Sequence, residues 1–499
     1  MSENLENLTP QLDNEAEVVT EAQSEAAVAT EEIVQDIQNE QQVELDNIDE
    51  VADEQEIELE LETIDEVADN NEQVLTKAQR AKILFMQPLW SSIVKWSCIF
   101  LGIVGVVLYF IATSSRSTGE SFAKIFRGVS GGIAKVFSLI PIPVFEIVIC
   151  ATVLGLLAYL VYIIVRTIQV KGGARKGGLW IQFGYTVLAV AGVFTLLSSM
   201  CYGVFTYRNF LSKSTPYTSA KVTNMEFSET MLYLIDGINN SLHEGSGEIF
   251  FTKNNLSRYQ GKGTATAKIT ERVNEAFKKA AKDIPTLKGP KLSSKELLFS
   301  GVYSSFQISS IYSPITGEIG INNYYPEIVV PMQVAKTMAI QRGYTDDGDA
   351  DFIAFLVLTQ YTDDYYLNYS GYFNAYLSLS SQFYNTNGKD LHLYLANALV
   401  SDAKKEYVAL VKELDKLYGV SSDISYVASS ETISKSQACD IAKLLLVNYR
   451  DNVDAGKVRI DDTEPVDYGK FCNYLTNFYK IDDDFQDAVD EIYEEYHPN

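Results

Sequence analysis

Three long apolar stretches stand near the beginning of the chain, and a longer stretch of mixed apolar and polar residues follows them. The uncharged stretches run from Trp96 to Ser115, from Ile147 to Val165 and from Leu179 to Phe205, and they contain 20, 19 and 27 residues. A helix needs about 20 mostly apolar residues to cross the hydrocarbon core of a bilayer. The pattern therefore predicts three transmembrane helices, at about residues 90–115, 144–165 and 179–205.

The pattern of residues 208–499 is mainly that of α-helices. Apolar residues recur at helical spacing in segments 228–242, 265–281, 334–341, 352–360, 403–417 and 436–447. The best strand-like material lies between Ser304 and Ile321, where we predict a short hairpin. A tyrosine-rich stretch at 361–384 fits either a packed helix or a glycan-binding surface, and packing is the simpler explanation. The predicted fold class is mainly α: three transmembrane helices followed by a predominantly helical domain with a small β element.

The charge of the chain is concentrated at its N-terminus. Of a net charge of −26, residues 1–76 contribute 25 acidic side chains and no basic ones, while the remaining residues carry 41 acidic and 40 basic side chains. This segment also lacks aromatic residues, so it has little apolar surface to bury. We predict a disordered acidic tail at 1–76, a membrane region at 77–207 and a folded domain at 208–499. An acidic tail repels phosphates, which argues against a nucleic-acid partner.

The distribution of basic residues predicts the orientation in the membrane. The short loop between the second and third stretches contains Arg166, Lys171, Arg175 and Lys176 and no acidic residue, which favours an inside location. The tail would then lie in the cytoplasm and the C-terminal domain outside, in a multi-pass protein of the cytoplasmic membrane with the lipid bilayer as its partner. The first loop, Phe122 to Ile140, alternates apolar and basic residues and is predicted to lie flat in the interface.

One stretch, Tyr312 to Leu356, carries a family resemblance. It reads YSPITGEIGINNYYPEIVVPMQVAKTMAIQRGYTDDGDADFIAFL. It resembles an uncharacterised bacterial family of three-span membrane proteins with a zincin-like domain outside the membrane, whose pattern is Y-[SN]-P-x-T-G-E-x-x-x-N, then H-E-x-x-H-Q-x-G, then an acidic run before A-N-F. The matching positions are Tyr312, Ser313, Pro314, Thr316, Gly317, Glu318, Asn322, Gln341, Arg342, Gly343, Ala350 and Phe352. Pro141, Pro143, Glu146 and the run Val466 to Lys470 also resemble the family. The resemblance implies a zincin-like domain at 208–499.

The zinc-binding positions of that pattern are replaced in this chain. Lys336 and Ile340 stand where the family has its two histidines, Thr337 stands at the glutamate, and Asp349 falls on the downstream acidic position. An HExxH helix works because two imidazoles one turn apart bind zinc while the glutamate activates a metal-bound water. Protonated lysine and isoleucine do not bind zinc, and threonine is no general base. We therefore predict a degenerate zincin site at these four positions, with no catalytic residue, no metal and no cofactor.

The leading interpretation is a membrane-anchored, catalytically inactive zincin-like protein that binds or scaffolds at the cell surface. The resemblance implies polypeptide or cell-wall material as its ligand class. Two alternatives are a metallopeptidase with unrecognised ligands and a structural membrane protein. In the leading interpretation, Lys336 replaces the charge of the metal and pairs with Asp349 or Asp346, because an unpaired buried charge is costly. The alternative for Lys336 is an exposed helix face.

Overall fold

The described part of the chain begins at the first apolar stretch. The computed structural model describes residues 89–199, 211–259, 265–313, 316–434 and 464–479, with isolated positions between 436 and 494. The predicted tail, Pro314 and part of the predicted helix at 436–447 lie outside these residues. Residues 87–499 form one compact unit. The division of the chain at 76 and 207 stays a prediction.

Within the described residues the fold is mainly helical, which confirms the predicted fold class. The helices are α1 (Leu89–Ser114), α2 (Arg116–Phe137), α3 (Val144–Gln169), α4 (Gly173–Ser198), α5 (Leu211–Ser214), α6 (Asn224–Glu244), α7 (Ala265–Asp283), α8 (Ser300–Ser305), α9 (Val330–Gln341), α10 (Asp347–Gln360), α11 (Tyr365–Asn397), α12 (Ser401–Tyr418), α13 (Ser425–Ala428) and α14 (Lys470–Tyr479). The strands are β1 (Ile249–Phe251), β2 (Ser257–Tyr259), β3 (Ser294–Glu296), β4 (Ser310–Tyr312) and β5 (Ile319–Ile321).

Three of these helices are long and apolar enough to cross a membrane. Their apolar parts are Ser91–Ser114 in α1, Val144–Gln169 in α3 and Arg175–Ser198 in α4. Helices α1 and α4 approach closely at two glycines, because a Cβ atom added to Gly102 would lie 2.5 Å from the Cα atom of Gly192. Small residues at such crossings allow helix backbones to pack in lipid. The three apolar helices indicate a multi-pass membrane protein, as the sequence predicted.

The loop predicted to lie in the interface is for most of its length the helix α2. The hydroxyl of Ser115 accepts a hydrogen bond from the backbone N–H of Thr118, which caps the start of this helix. Its exposed side includes Ile125, Val129 and Val136, whereas Ser130 and Ala134 are buried. The buried side of this helix therefore consists mostly of small residues, together with Phe126.

The core of the C-terminal domain lies between helices α6, α9, α10 and α11. Every residue from Phe352 to Leu358 in α10 is fully buried. The tyrosine-rich stretch forms much of α11, where Tyr366, Tyr369 and Tyr376 are fully buried. This confirms tyrosine packing along a helix. Five of the six predicted helical segments fall within described helices.

The small β element contains the predicted hairpin. Strands β4 and β5 pair antiparallel, with Ser310 opposite Ile321 and Tyr312 opposite Ile319. Residues 304–309 belong to the end of α8 and a turn, so the hairpin is shorter than the predicted segment. Strand β3 pairs parallel with β5, and β1 pairs antiparallel with β2. Strands β1, β2 and β3 were not predicted, since three residues are too few to show an alternating pattern.

The carboxyl group of Glu406 in α12 is buried in the core, where the ionised form of a carboxyl group is unfavourable. It accepts hydrogen bonds from the backbone N–H of Ser257 and the hydroxyl of Tyr369, each at 2.6 Å. Burial raises the pKa of Glu406 from 4.5 to about 7, and the two hydrogen bonds only partly oppose this rise. The folded protein therefore binds this proton more tightly than the unfolded chain does.

We expect this carboxyl group to make folding pH-dependent. Its stabilising contribution is fully present below pH 4.5 and is lost as the pH rises through about 7. Such a shift corresponds to roughly 3 kcal/mol. The free energy of unfolding of the E406Q variant should therefore fall less between pH 5 and pH 8 than that of the wild type. The exposed Glu413 in the same helix provides the control, E413Q. Equal pH dependence in E406Q and wild type would contradict the prediction.

Candidate functional site

Helix α9 carries the positions at which the family pattern has its zinc ligands. Pro331 stands in its first turn, where a missing N–H costs no helical hydrogen bond. The helix packs on β4, β5 and α10. Thr337 is buried, Lys336 and Ile340 are partly exposed, and Gln341 is fully buried.

Lys336 forms ion pairs with the next helix. Its Nζ atom lies 3.2 Å from Asp347 Oδ1 and 3.1 Å from Asp351 Oδ1. Burial alone would lower the pKa of Lys336, but the carboxylates of Asp351 and Asp347 outweigh this effect and raise it. The side chain therefore remains a cation held against α10.

The partners of Lys336 differ from those expected. Asp346 and Asp349, the two carboxylates named from the sequence, instead bind Lys470, whose Nζ lies 3.0 Å from Asp346 Oδ1 and 2.8 Å from Asp349 Oδ1. That pairing prediction was wrong because it ignored the phase of α10. Residues 347 and 351 are one turn apart and share the side that faces Lys336. Asp349 projects toward α14, where Lys470 ends the Val466 to Lys470 run.

Three further positions of this pattern, those of Thr337, Arg342 and Gly343, have structural roles. The hydroxyl of Thr337 donates to the carbonyl of Gln333 at 2.7 Å and lies 3.0 Å from Ser310 Oγ in β4. Arg342 donates to the carbonyls of Leu287 and Met338. Burial, with a smaller contribution from Arg127, lowers the pKa of Arg342 to about 9. Gly343 has a φ of 100°, which suits glycine at the end of a helix.

A buried ion pair lies where the C-terminal domain meets the start of α3. Lys295 in β3 pairs with Glu318, and both side chains are almost completely buried. The carboxylate of Glu318 also accepts hydrogen bonds from the backbone N–H groups of Val144 (3.3 Å) and Phe145 (3.0 Å). These are orphan donors in the first turn of α3, and Pro143 has no side chain that could cap them. Glu318, a residue of the C-terminal domain, therefore caps the N-terminus of a membrane helix.

Lys295 is satisfied by the same segment. Its ammonium group donates to the carbonyls of Phe137 and Ile142, each at 2.9 Å, in the connection between α2 and α3. The hydroxyl of Thr316 donates to Glu318 at 2.7 Å. A buried ion pair is favourable only when its remaining donors and acceptors find partners, and these do.

Glu146 makes the reciprocal contact from α3. Its carboxylate accepts from the backbone N–H groups of Leu298 (2.7 Å) and Phe299 (3.3 Å) in the domain. Burial raises the pKa of Tyr303 to about 12, and a hydrogen bond with Glu146 contributes to this rise. We call the set Glu146, Lys295, Thr316 and Glu318 the carboxylate joint. The sequence analysis named Glu146 only as part of the family resemblance, and the structure shows its carboxylate buried against the domain.

The other residues of the first family motif complete this contact. The hydroxyls of Tyr312 and Ser130 form a hydrogen bond between β4 and α2. Gly317, with a φ of 68°, lies so close to α2 that an added Cβ atom would be 2.8 Å from the Cβ of Ala134. Asn322 donates to the carbonyls of Ser300 and Ile308. The motif thus joins the domain to α2 and α3.

Two further features lie elsewhere in the C-terminal domain. His392 lies buried, with Nε2 2.6 Å from Ser380 Oγ and Nδ1 2.8 Å from the hydroxyl of Tyr426, and burial lowers its pKa to about 4. A groove of about 730 Å³ runs between α12 and residues 428–432. Among the residues that the structure describes, no three His, Cys, Asp or Glu side chains are grouped so that they could hold a metal ion.

These features define a multi-pass membrane protein whose helical domain is joined to its second apolar helix by buried polar contacts. A family model described as a protein of unknown function, DUF3810, matches residues 122–429. The match covers more than half of the chain, so the chain belongs to this family. It includes most of α2, the carboxylate joint and α9. Neither the curated proteins nor the solved structures contain a match to the chain.

Proposed function

We propose that this chain is a membrane-anchored binding or scaffolding protein whose zincin-like domain has no catalytic metal site. The supporting observation is the ion-paired Lys336 at the position of the family's first histidine. A cation held by two carboxylates occupies the place where the pattern has a ligand for a cation. The hydroxyl of Thr337, at the position of the general base, donates a hydrogen bond to the backbone carbonyl of Gln333 in the same helix.

The proposed location is the outer face of the cytoplasmic membrane, and the proposed ligand class is polypeptide or cell-wall material. The basic loop after α3 supports the orientation. The groove beside α12 supports a polar ligand, because Lys405, Lys412, Glu413 and Glu431 line it together with the apolar Val408. Charges of both signs next to apolar surface suit a polypeptide.

We expect the purified full-length wild type to hold no stoichiometric zinc and the variant K336H/T337E/I340H to gain a zinc site. Two imidazoles one turn apart would then stand beside Asp347 and Asp351, which supply the further oxygen ligand that such sites use. Zinc content after dialysis, measured by mass spectrometry with and without a chelator, tests this expectation.

The control K336A/T337A/I340A removes the same side chains and adds no ligand atoms. Adding D347N, D351N or D349N to the histidine variant shows which carboxylate completes the site, and the geometry favours Asp347 or Asp351 over Asp349. Stoichiometric zinc in the wild type, together with proteolysis that a chelator abolishes, would instead establish the metallopeptidase alternative. If the histidine variant gained no zinc, the zincin-like arrangement of α9 and α10 would be refuted.

A further inference from the structure

The short helix α8 has an inverted distribution of side chains. Its inward positions are two small polar residues, Ser300 and Ser304, which are buried and hydrogen-bonded to the carbonyls of Leu297 and Ser300. The outward side chains are those of Val302 in the helix and of three residues that flank it, Leu298, Phe299 and Phe306; they are large and apolar, with exposed fractions between 46% and 71%. A helix on the surface of a soluble domain normally turns its apolar side to the core. Contiguous exposed apolar residues of this kind mark an interaction surface.

This helix lies beside the beginning of a membrane-spanning helix. The backbone N–H groups of Leu298 and Phe299 bind Glu146, which stands in the first turn of α3. The hydroxyl of Tyr303 binds the same carboxylate, and Tyr303 also lies near Cys150, since both Glu146 and Cys150 contribute to the raised pKa of Tyr303. From Val144 to Cys150 a helix rises about 9 Å. Helix α8 is therefore fixed next to the first two turns of a helix that begins at the membrane surface.

The apolar surface continues on both sides of α8. The ring of Tyr324 is exposed and lies 3.5 Å from where a Cβ atom on Gly301 would stand. Leu139 and Ile142, in the connection that leads into α3, are also exposed, and Lys295 holds the carbonyl of Ile142. Exposed apolar side chains are thus present both on α8 and in the connection into α3, and Glu146 holds these two segments together.

We propose that the α8 patch (Leu298, Phe299, Val302, Phe306 and Tyr324) inserts into the interface of the lipid leaflet in which α3 begins. The partner is phospholipid at the boundary between headgroups and acyl chains. The aliphatic and phenylalanine side chains enter the apolar layer, and the hydroxyl of Tyr324 stays at the headgroups, as aromatic residues do at membrane interfaces. The domain is then held on the bilayer by a contact in addition to its spans. This holds for either orientation of the chain.

Fluorescence quenching of single tryptophans in the full-length protein tests the proposal. The three native tryptophans are replaced (W90F, W96F, W180F), and F306W or V302W is added to the protein in nanodiscs of phosphatidylcholine and phosphatidylglycerol, one copy per disc. F110W, an exposed position in α1, serves as the lipid-facing reference. V400W serves as the water-facing reference. It precedes α12, an 18-residue helix whose other end, Tyr418, bonds to Tyr325 beside the patch.

We expect brominated acyl chains to quench F306W and V302W to an extent similar to F110W, and aqueous iodide to quench them much less than V400W. The proposal is overturned if iodide quenches both positions as strongly as V400W while brominated lipid has no effect. Protection from both quenchers also overturns it, since a single copy in each disc leaves only another part of the same chain to cover the patch.

Discussion

Replacement of Glu318 by alanine is expected to destabilise the protein by about 3–5 kcal/mol, the usual cost of removing one partner of a buried ion pair. The variant leaves the ammonium group of Lys295 buried with two carbonyl groups as its remaining partners. It also removes the acceptor for the backbone N–H groups of Val144 and Phe145. The change in the free energy of unfolding, measured by denaturant titration in mild detergent with circular dichroism, gives the effect.

The control for this variant is Glu296, an exposed carboxylate next to Lys295 in β3. We expect E296A to change stability by no more than about 0.5 kcal/mol, as surface substitutions usually do. The double variant K295M/E318Q should lose less stability than E318A, because it leaves no buried charge without a partner. If E318A and E296A had equal effects, Glu318 would not be the buried acceptor described above.

The carboxylate joint fixes the C-terminal domain to the membrane region by contacts in both directions. Glu318 belongs to the domain and caps a membrane helix, while Glu146 belongs to that helix and binds backbone N–H groups of the domain. Each carboxylate satisfies donors that would otherwise be buried without partners. The covalent connection between the membrane region and the domain follows α4. The joint provides a second connection, because it holds the domain to the start of α3. If the domain moved away from α3, the two carboxylates and the backbone N–H groups that they bind would lose their partners at the same time.

Most of the longer helices were predictable from the sequence, because each carries an apolar pattern over at least two turns. Segments such as 265–281 and 403–417 match α7 and α12 closely, since their packing follows from local periodicity. The joint was not predictable in this way. Glu318 of the joint binds the backbone N–H group of Val144, which lies 174 positions away in the chain, and no local pattern identifies such partners. The family resemblance identified Glu318 as a motif residue, but it did not predict the groups that Glu318 binds.

The degenerate site shows the same limit. The sequence alone identified the replacements Lys336, Thr337 and Ile340, because finding them requires only the spacing of a known motif. The partner of Lys336 depends on how α10 is rotated against α9, and four acidic residues between 346 and 351 offered several choices. The geometry selects Asp347 and Asp351 and gives Asp346 and Asp349 to Lys470. A lysine at 470, more than a hundred residues away, competes for the same acidic run.

Replacement of Gly317 by alanine is expected to have the second large effect on stability. Its φ of 68° lies in the left-handed region, which costs an alanine about 1–2 kcal/mol. The added Cβ would also lie 2.8 Å from Ala134 Cβ and 3.0 Å from the carbonyl oxygen of Ser130. Both obstacles are fixed to α2, so overpacking adds about 1–3 kcal/mol. The change in the free energy of unfolding of G317A should reflect both costs.

Gly419 separates these two costs, because it has nearly the same φ, 66°, and nothing within 4 Å of its hypothetical Cβ. G419A should therefore show the conformational cost alone, and the difference between the two variants measures how tightly the motif is pressed against α2. Equal losses would mean that α2 yields to the new methyl group, and the close contact would then contribute little to stability. A larger loss in G317A would establish that the glycine of this motif is required by the approach of a helix, since zinc chemistry plays no part in that comparison.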